Sequence, residues 1–142
     1  MLVSEILRIK GKTLYTTGPG DTVRDAVRAM AQFDMGSQVV MERGKLVGML
    51  TFREVLAVLD RQDGVLGEMK VGDVMDSAPL TTDPHMEVME LRGKMLERHT
   101  RYVPVMEGPM LLGVVSFHDV AKAVYDEKNF ENTMLKDYIA AA

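Results

Sequence analysis

Hydrophobic and polar positions follow the same order twice along this chain. Residues 46–55 read LVGMLTFREV, and residues 111–120, found 65 positions later, read LLGVVSFHDV. In each segment an apolar run containing one glycine ends at a hydroxyl residue, and a phenylalanine and an acid follow. Such a run is typical of a buried strand, and the hydroxyl-x-x-acid pattern is typical of a helix N-terminus. The pattern therefore predicts two strands that each run directly into a helix, capped by Thr51 in one segment and Ser116 in the other.

These segments belong to a longer internal repeat. At the same offset Thr16-Thr17 corresponds to Thr81-Thr82, while the opening residues of the two copies match at an offset of 68. Three extra residues in the first copy, near Gly11-Lys12-Thr13, account for this change. Self-similarity at a fixed spacing indicates a repeat architecture. We predict one repeat in residues 1–66, a second in 67–126 and a C-terminal helix in 127–142.

Each copy is predicted to contain a short helix, a short extended segment, a helix, two strands and a closing helix. The predicted elements of the first copy are Val3–Arg8, Leu14–Thr17, a helix from Thr22, Gln38–Glu42, a strand from Leu46 and Phe52–Asp60; those of the second are Val71–Met75, Leu80–Thr82, Glu87–Arg98, Val103–Glu107, a strand from Leu111 and Phe117–Asp126. One copy alone can bury only a modest core. The sequence therefore predicts an α/β fold of two β-α-β-β-α repeats, related by a pseudo-twofold axis and packed through their sheets. The cleft at such a repeat interface is a natural small-molecule site.

The C-terminal segment does not repeat. Apolar residues in Asn129–Ile139 recur with helical spacing and predict one amphipathic helix. Its apolar face could pack on its own domain or form a dimer contact, and the sequence leaves both interpretations open. These apolar residues are Phe130, Met134, Leu135, Tyr138 and Ile139.

Composition excludes several classes of function. The 142 residues carry a formal net charge of −4, and they include no cysteine. Duplex nucleic-acid binders usually present a basic surface, so we expect no nucleic-acid partner. No apolar run approaches the roughly 20 residues that span a bilayer, and the N-terminus does not resemble a signal peptide, so we expect no membrane partner and a cytoplasmic location. The 13 methionines are expected to fill gaps in the core.

The sequence contains no recognisable catalytic or metal-binding motif. The G-x-S-x-G, H-E-x-x-H, P-loop and G-x-G-x-x-G patterns are all absent. The segment Gly18-Pro19-Gly20 is too short for a phosphate loop, and its proline lacks an N–H donor. His85, His99 and His118 do not have the spacing of a metal-ligand set. We therefore predict a protein that is not an enzyme and that holds no metal.

The repeat resembles the CBS domain, named for cystathionine β-synthase, over residues 1 to about 126. Tandem CBS pairs, called Bateman modules, bind adenine nucleotides in many proteins, and this chain is similar in length to stand-alone bacterial CBS-pair proteins. The motifs that carry the resemblance are Val3-x-x-Ile6-Leu7, Thr16-Thr17 and Leu46-Val47-Gly48-x-x-Thr51-x-x-Glu54 in the first copy, and Val71-x-x-Val74-Met75, Thr81-Thr82, Val103-Pro104-Val105 and Leu112-Gly113-x-x-Ser116-x-x-Asp119 in the second.

The resemblance implies a site for a nucleotide. In the family the hydroxyl and acid of the turn hold the ribose, which here implies Thr51 with Glu54 and Ser116 with Asp119. A carboxylate can accept hydrogen bonds from both ribose hydroxyls, so this role is chemically reasonable. The remaining implied residues are Thr16, Thr17, Leu80 and Thr82 toward the adenine, Arg101 toward the phosphate at the Thr51/Glu54 turn, and Val103 and Pro104 on the adjoining strand.

Two features depart from the family pattern. Glu54 is one methylene longer than the usual aspartate, and Gly36-Ser37 stands where the second copy has Arg101-Tyr102. The Ser116/Asp119 turn is therefore expected to lack a matching cation from the first copy, and the sequence does not decide which turn is occupied.

Two further residues and both turns have alternative interpretations. Arg53 and His118, at the third position of each turn, are candidate phosphate contacts, although these positions also often face solvent. Capping of the helix alone would explain either hydroxyl-x-x-acid turn, and Thr22-x-x-Asp25 is assigned only that role.

Three functions are compatible with these residues. The resemblance favours a regulatory module that binds AMP, ATP or NAD(H) as a ligand, requires no cofactor and acts on an unidentified effector protein in trans, as a homodimer. The alternative is a structural or dimerisation module without a ligand. An enzyme is disfavoured by the missing motifs.

Overall fold

The computed structural model describes residues 1–11 and 13–141. It confirms a mixed α/β fold with two small sheets and a C-terminal helix, and most predicted elements are present within one or two residues. The helices are α1 Val3–Lys10, α2 Val23–Gln32, α3 Phe52–Arg61, α4 Val71–Val74, α5 Val88–Arg98 and α6 Phe117–Ala141. The strands are β1 Thr16–Thr17, β2 Ser37–Glu42, β3 Lys45–Thr51, β4 Tyr102–Glu107 and β5 Met110–Ser116.

The first sheet has three strands in the order β1-β2-β3. β1 is parallel to β2, and β2 is antiparallel to β3, with a register shift between Val40 and Met41. β4 and β5 pair in the second sheet. The extended segment predicted at Leu80–Thr82 contributes a single parallel bridge between Thr82 and Val105, so it is shorter than the strand β1 to which it corresponds.

The chain divides into two compact units. The first-repeat unit comprises residues 13–79 and 108–111. The second-repeat unit comprises the described residues of 1–12, 80–107 and 112–142. The opening helix α1 therefore belongs to the unit that holds most of the second sequence repeat, and α4 belongs to the unit that holds most of the first.

Equivalent backbone hydrogen bonds hold each exchanged helix in place. In the second-repeat unit Val3 N donates to Met86 O at 3.0 Å, and Val88 N donates to Met1 O at 2.9 Å. In the first-repeat unit the same two bonds join Val71 N to Asp21 O at 2.9 Å and Val23 N to Met69 O at 2.8 Å. The periodicity of each opening helix fits either core, so the sequence did not indicate the exchange. The division of the sequence into one repeat at residues 1–66 and a second at residues 67–126 stays a prediction.

Each unit has its own apolar core, and each core includes the exchanged helix. In the second-repeat unit Val3 and Ile6 of α1 pack with Leu91 and Met95 of α5. In the first-repeat unit Val71 of α4 packs with α2 and β3 residues. Two apolar residues of the longer helices contribute to neither core: Leu96 of α5 is 52 % exposed, and Ala31 of α2 is exposed as well. Leu96 precedes the left-handed residue His99 that ends α5, so it lies on the last, solvent-facing turn.

The closing helix and the C-terminal helix are one continuous helix. The sequence predicts Phe117–Asp126 and Asn129–Ile139 as separate helices, but α6 runs from Phe117 to Ala141. No glycine or proline interrupts residues 117–141, so nothing in the local sequence ends the helix at 126. The apolar residues of the tail are 55–75 % exposed, so the interpretation that they pack on the chain's own domain is wrong. Among the described residues, no helix is long and apolar enough to cross a membrane.

Candidate functional site

The first candidate turn joins β3 to α3. Thr51 is the N-cap of α3 and, with Glu54, forms a complete capping box. Glu54 Oε1 accepts hydrogen bonds from Thr51 N at 2.7 Å and from Thr51 Oγ1 at 2.8 Å. The hydroxyl thus donates to the acid, and the carboxylate is held half-buried at the mouth of the helix.

The second candidate turn joins β5 to α6 in the same way. Ser116 N donates to Asp119 Oδ2 at 2.9 Å, and Asp119 N donates to Ser116 Oγ at 3.0 Å. These reciprocal bonds satisfy two of the backbone N–H groups that a helix N-terminus leaves without helical partners. Each turn lies within a single compact unit, so the two predicted hydroxyl-acid pairs are each brought together.

A lysine that the sequence did not single out contacts the second turn. Lys10 Nζ lies 2.7 Å from Asp119 Oδ2 and donates a second hydrogen bond to Val114 O at 2.9 Å. Lys10 is the last residue of α1, so it comes from the first sequence copy. The first copy thus supplies a cation to the Ser116/Asp119 turn, although not from Gly36-Ser37, the position that corresponds to Arg101-Tyr102. The residue that supplies the cation precedes the three-residue insertion, not the strand where the family pattern would place it.

The environment of Asp119 lowers its pKa. Burial opposes ionisation and would raise the pKa, but the hydrogen bond from Lys10, the bond from Ser116 N and the lysine charge together outweigh it. The side chain of Asp119 is 20 % exposed, and that of Lys10 is 39 % exposed. Asp119 is consequently a carboxylate at neutral pH and an acceptor of hydrogen bonds.

The backbone of Arg101 contacts the second turn. Its carbonyl oxygen accepts a hydrogen bond from Phe117 N, the first residue of α6, at 2.7 Å. Arg101 and the Thr51/Glu54 turn belong to different compact units, so the phosphate contact implied for Arg101 stays a prediction.

The segments implied for adenine binding are engaged in sheet contacts. Thr16 and Thr17 pair with Val39 and Val40 of β2. Thr17 Oγ1 also donates to Asp21 Oδ2 at 3.0 Å.

The corresponding segment of the second-repeat unit is bonded in a similar way. Thr82 is 5 % exposed; its N–H donates to Pro104 O at 3.0 Å, and its carbonyl accepts from Met106 N at 2.8 Å. The main-chain groups of Thr82 already bond to β4, and Leu80 is half-buried beside it. Adenine contacts by these residues stay predictions.

The remaining implied residues differ in exposure. Val103 and Pro104 are buried in β4, whereas Arg53 and His118 are exposed on the first turns of α3 and α6. The first pair can shape a site only through the backbone or through packing, and the second pair can reach a ligand in solution. The described residues include no group of three or more His, Asp or Glu side chains positioned to hold a metal ion.

A third hydroxyl-capped helix provides an internal comparison. Thr22 is the N-cap of α2, and its Oγ1 accepts a hydrogen bond from Asp25 N at 3.1 Å. This turn has the capping role that the sequence predicts for it. A threonine cap with an acid three residues later is therefore not by itself a sign of a ligand site.

Comparison with protein families gives two matches in this chain. The family described as CBS domain matches residues 3–61 and 71–126. Among curated relatives, the mitochondrial CBS domain-containing protein CBSX3 of Arabidopsis thaliana is 33% identical over 147 residues, covering 96% of this chain and 71% of its own length.

Solved structures give the same result for the fold. The CBS-domain-containing protein ATU1752 from Agrobacterium tumefaciens is similar with a TM-score of 0.82 and 26% identity, covering 87% of this chain and 98% of that one. The CBS domain pair of protein MJ0100, solved in complex with 5′-methylthioadenosine and S-adenosyl-L-methionine, is similar with a TM-score of 0.79 and 19% identity, covering 89% of this chain and 98% of that one.

Proposed function

We propose that this chain, which belongs to the CBS-domain family, is a regulatory module. Its hydroxyl-acid turns bind the ribose of an adenosine-containing ligand. The ligand class comprises AMP, ATP, NAD(H) and related adenosine compounds. The protein performs no catalysis, and an unidentified effector protein reads its bound state. A cytoplasmic location stays a prediction from the sequence.

One observation supports this proposal above the others. Both copies place an ordered carboxylate at the mouth of a helix, and in each turn the hydrogen bonds described above meet at one carboxylate oxygen, Glu54 Oε1 or Asp119 Oδ2. Those bonds do not use the other oxygen, and a carboxylate offers about four lone-pair sites in all. Ribose presents two vicinal hydroxyl donors, which can bridge the two oxygens of one carboxylate, so at least one of them meets an oxygen that these bonds leave open.

The related fold of MJ0100 supports the ligand class. That protein is solved with two adenosine compounds, one carrying a positive charge and one uncharged. The adenosine part is common to both, so we propose that the adenosine, and not the charged group, is what the fold recognises. The choice among AMP, ATP and NAD(H) remains for the binding experiment.

Thermal unfolding in the presence of ligands tests the proposal. The purified protein is heated with AMP, ADP, ATP, NAD, NADH, S-adenosylmethionine, 5′-methylthioadenosine or cyclic dinucleotides. A ligand at 100 times its dissociation constant is expected to add about 2.7 kcal/mol to the free energy of unfolding. An unchanged melting temperature with every compound would refute the proposal and would favour a structural module without a ligand.

Three matched variants then locate the site. Glu54→Gln, Asp119→Asn and Asp25→Asn each neutralise the third residue of a hydroxyl-capped helix. We expect Glu54→Gln or Asp119→Asn to weaken binding about tenfold or more, since a hydrogen bond to a charged group contributes roughly 1.5–3 kcal/mol. Asp25→Asn changes the same kind of cap on α2, a helix that carries neither candidate turn, and is expected to leave affinity unchanged. Equal effects of all three variants would attribute the loss to helix capping and not to ribose binding.

We also propose that a second copy of this chain covers the exposed face of the α6 tail. Phe130, Met134 and Tyr138 lie on one face at helical spacing and are 66, 55 and 75 % exposed. Association would remove this apolar surface from water.

Light scattering during gel filtration measures the mass of the native protein. Met134→Glu with Leu135→Glu is expected to convert the dimer to a monomer, because it would bury two charges in the contact. Asn129→Glu with Thr133→Glu adds the same charge to the opposite face and is expected to leave the dimer intact. A monomeric mass for the unmodified chain would refute this proposal.

A further inference from the structure

The Lys10 ammonium occupies an acceptor site that a ribose hydroxyl would use. Asp119 Oδ2 accepts from Ser116 N at 2.9 Å and from Lys10 Nζ at 2.7 Å. A carboxylate oxygen has two lone pairs in the plane of the group, so these two donors fill Oδ2. A vicinal diol that uses both carboxylate oxygens therefore has to take the place of Lys10 on Oδ2.

The lysine can leave Asp119 without disturbing the core. The side chain of Lys10 is 39 % exposed. Lys10 is the last residue of α1, and Gly11, which follows it, has a φ of +92°. The lysine stem is flexible and its ammonium is a compact point charge, so Nζ can move several ångströms by changes of rotamer alone. In leaving, Lys10 loses its carboxylate partner.

The charge of the incoming ligand decides what the displaced lysine gains. An uncharged nucleoside takes the acceptor and provides no new anion, so the ammonium has to be solvated again. A phosphate-bearing nucleotide takes the same acceptor and supplies an anion with which the displaced lysine can pair, so one ion pair is exchanged for another.

We propose that Lys10 is an exchangeable cation that makes the Ser116/Asp119 turn prefer phosphate-bearing adenine nucleotides over uncharged adenosine compounds. This inference rests on the proposed function. The first turn has no equivalent lysine, because Ala78 stands at the position that corresponds to Lys10, and Glu54 Oε1 is bonded by Thr51 instead. The preference is therefore a property of one turn and not of the fold.

Titration calorimetry with AMP and with adenosine tests this inference. The proteins are the unmodified chain, Lys10→Met, which keeps the length of the stem, and Lys10→Arg, which keeps the charge. Lys10→Met is expected to raise the affinity for adenosine about 2- to 5-fold, the range for a partly exposed ion pair, and to reduce the preference for AMP over adenosine by at least the same factor. Lys10→Arg is expected to retain the preference.

A control lysine in the same unit separates this effect from net charge. Lys94 pairs with Glu90 at 3.8 Å on the surface of α5, and Lys94→Met is expected to leave both affinities unchanged. A ratio of AMP to adenosine affinity that is the same in Lys10→Met as in the unmodified chain would overturn the inference while leaving the proposed function intact. Failure of either compound to bind the unmodified chain, together with an unresponsive ligand panel, would overturn both.

Discussion

Replacing Gly48 by alanine is expected to destabilise the first-repeat unit, and the reason lies in the exchanged segment that follows α4. A β-carbon at Gly48 would lie 2.6 Å from Met75 Sδ and 2.8 Å from Asp76 O. The methionine side chain could move, but the carbonyl could not. Asp76 O accepts from Met49 N at 2.9 Å, and Asp76 N donates to Met49 O at 2.9 Å, so this pair of bonds fixes the backbone beside Gly48.

The magnitude follows from the groups that would have to move. Inserting a methyl group into a packed site typically costs about 1–3 kcal/mol. Relieving the contact with Asp76 O would also weaken at least one of two backbone hydrogen bonds, each worth roughly 1 kcal/mol. Gly48 has no positive φ, so alanine causes no backbone strain there. Alanine also lowers the conformational entropy of the unfolded chain, which stabilises the folded state by about 0.4–1 kcal/mol and offsets part of the loss. We therefore expect a net loss of about 2–3 kcal/mol in the free energy of unfolding.

The equivalent glycine of the second copy is the matched control. A β-carbon at Gly113 would lie 3.0 Å from Leu7 Cδ2, the only atom within 4 Å in the part of the chain that the structure describes, and this is the end of a flexible side chain. Gly113 is as buried as Gly48, and it too lies in a strand that leads to a candidate turn. Because Leu7 can rotate away, Gly113→Ala is expected to change the free energy of unfolding by less than about 1 kcal/mol.

Urea unfolding followed by circular dichroism measures both variants against the unmodified chain. A lower midpoint at an unchanged slope identifies a change in stability. If Gly48→Ala and Gly113→Ala have equal midpoints, the packing of residues 75–76 against β3 does not hold and the reasoning is refuted.

The remaining predictions concern the second turn and α2. The pKa of Asp119 is lowered in the folded chain. The stabilising effect of the Asp119 carboxylate is therefore complete above the unfolded pKa of about 3.9 and is lost as the pH falls through the pKa of the folded state. Lys10→Met should therefore cost about 0.5–1 kcal/mol at pH 7 and progressively less below about pH 4, and a constant cost across that range in urea titrations would contradict this assignment. Thr22→Ala removes the acceptor of Asp25 N and should cost about 1 kcal/mol in urea unfolding, whereas Thr133→Ala at an exposed position of α6 should cost less than about 0.5 kcal/mol; equal costs would argue against the cap.

Local pattern was sufficient to predict most elements of this fold. The apolar run before Thr51 and the hydroxyl-x-x-acid turn after it are short-range signals, and both the strand and the capped helix are present where they predict. Confirmation of the family follows from the same residues, because the motifs recur in register in both copies.

Three-dimensional placement was not predictable from pattern. Val3 and Val71 occupy equivalent positions in the two copies, and nothing in the spacing of their helices distinguishes the core of one unit from the core of the other. The continuity of α6 was missed for a different reason. Polar residues at 126–129 interrupt the apolar spacing, but they do not break a helix, since none is glycine or proline.

The cation at the second turn was missed because its position depends on the exchange. Lys10 is close to Asp119 only because α1 packs in the second-repeat unit, 109 residues away from Asp119 in sequence. The local signal was the change of offset near Gly11-Lys12-Thr13, which shows that the copies differ just after α1. A change in repeat spacing beside a charged residue is therefore a place to look for an interaction that one copy has and the other lacks.

The exchange also explains how two similar turns acquire different chemistry. Each compact unit contains a turn from one sequence copy and an opening segment from the other, so a change in an opening segment alters the turn of the opposite copy. In the second-repeat unit that segment ends in Lys10, and in the first-repeat unit the equivalent position is Ala78. At the second turn the carboxylate accepts from an ammonium, and at the first turn it accepts from a neighbouring hydroxyl. The two turns therefore differ in net charge. Divergence between the copies at one residue outside both motifs is thus enough to give the two turns of a repeated fold different charges.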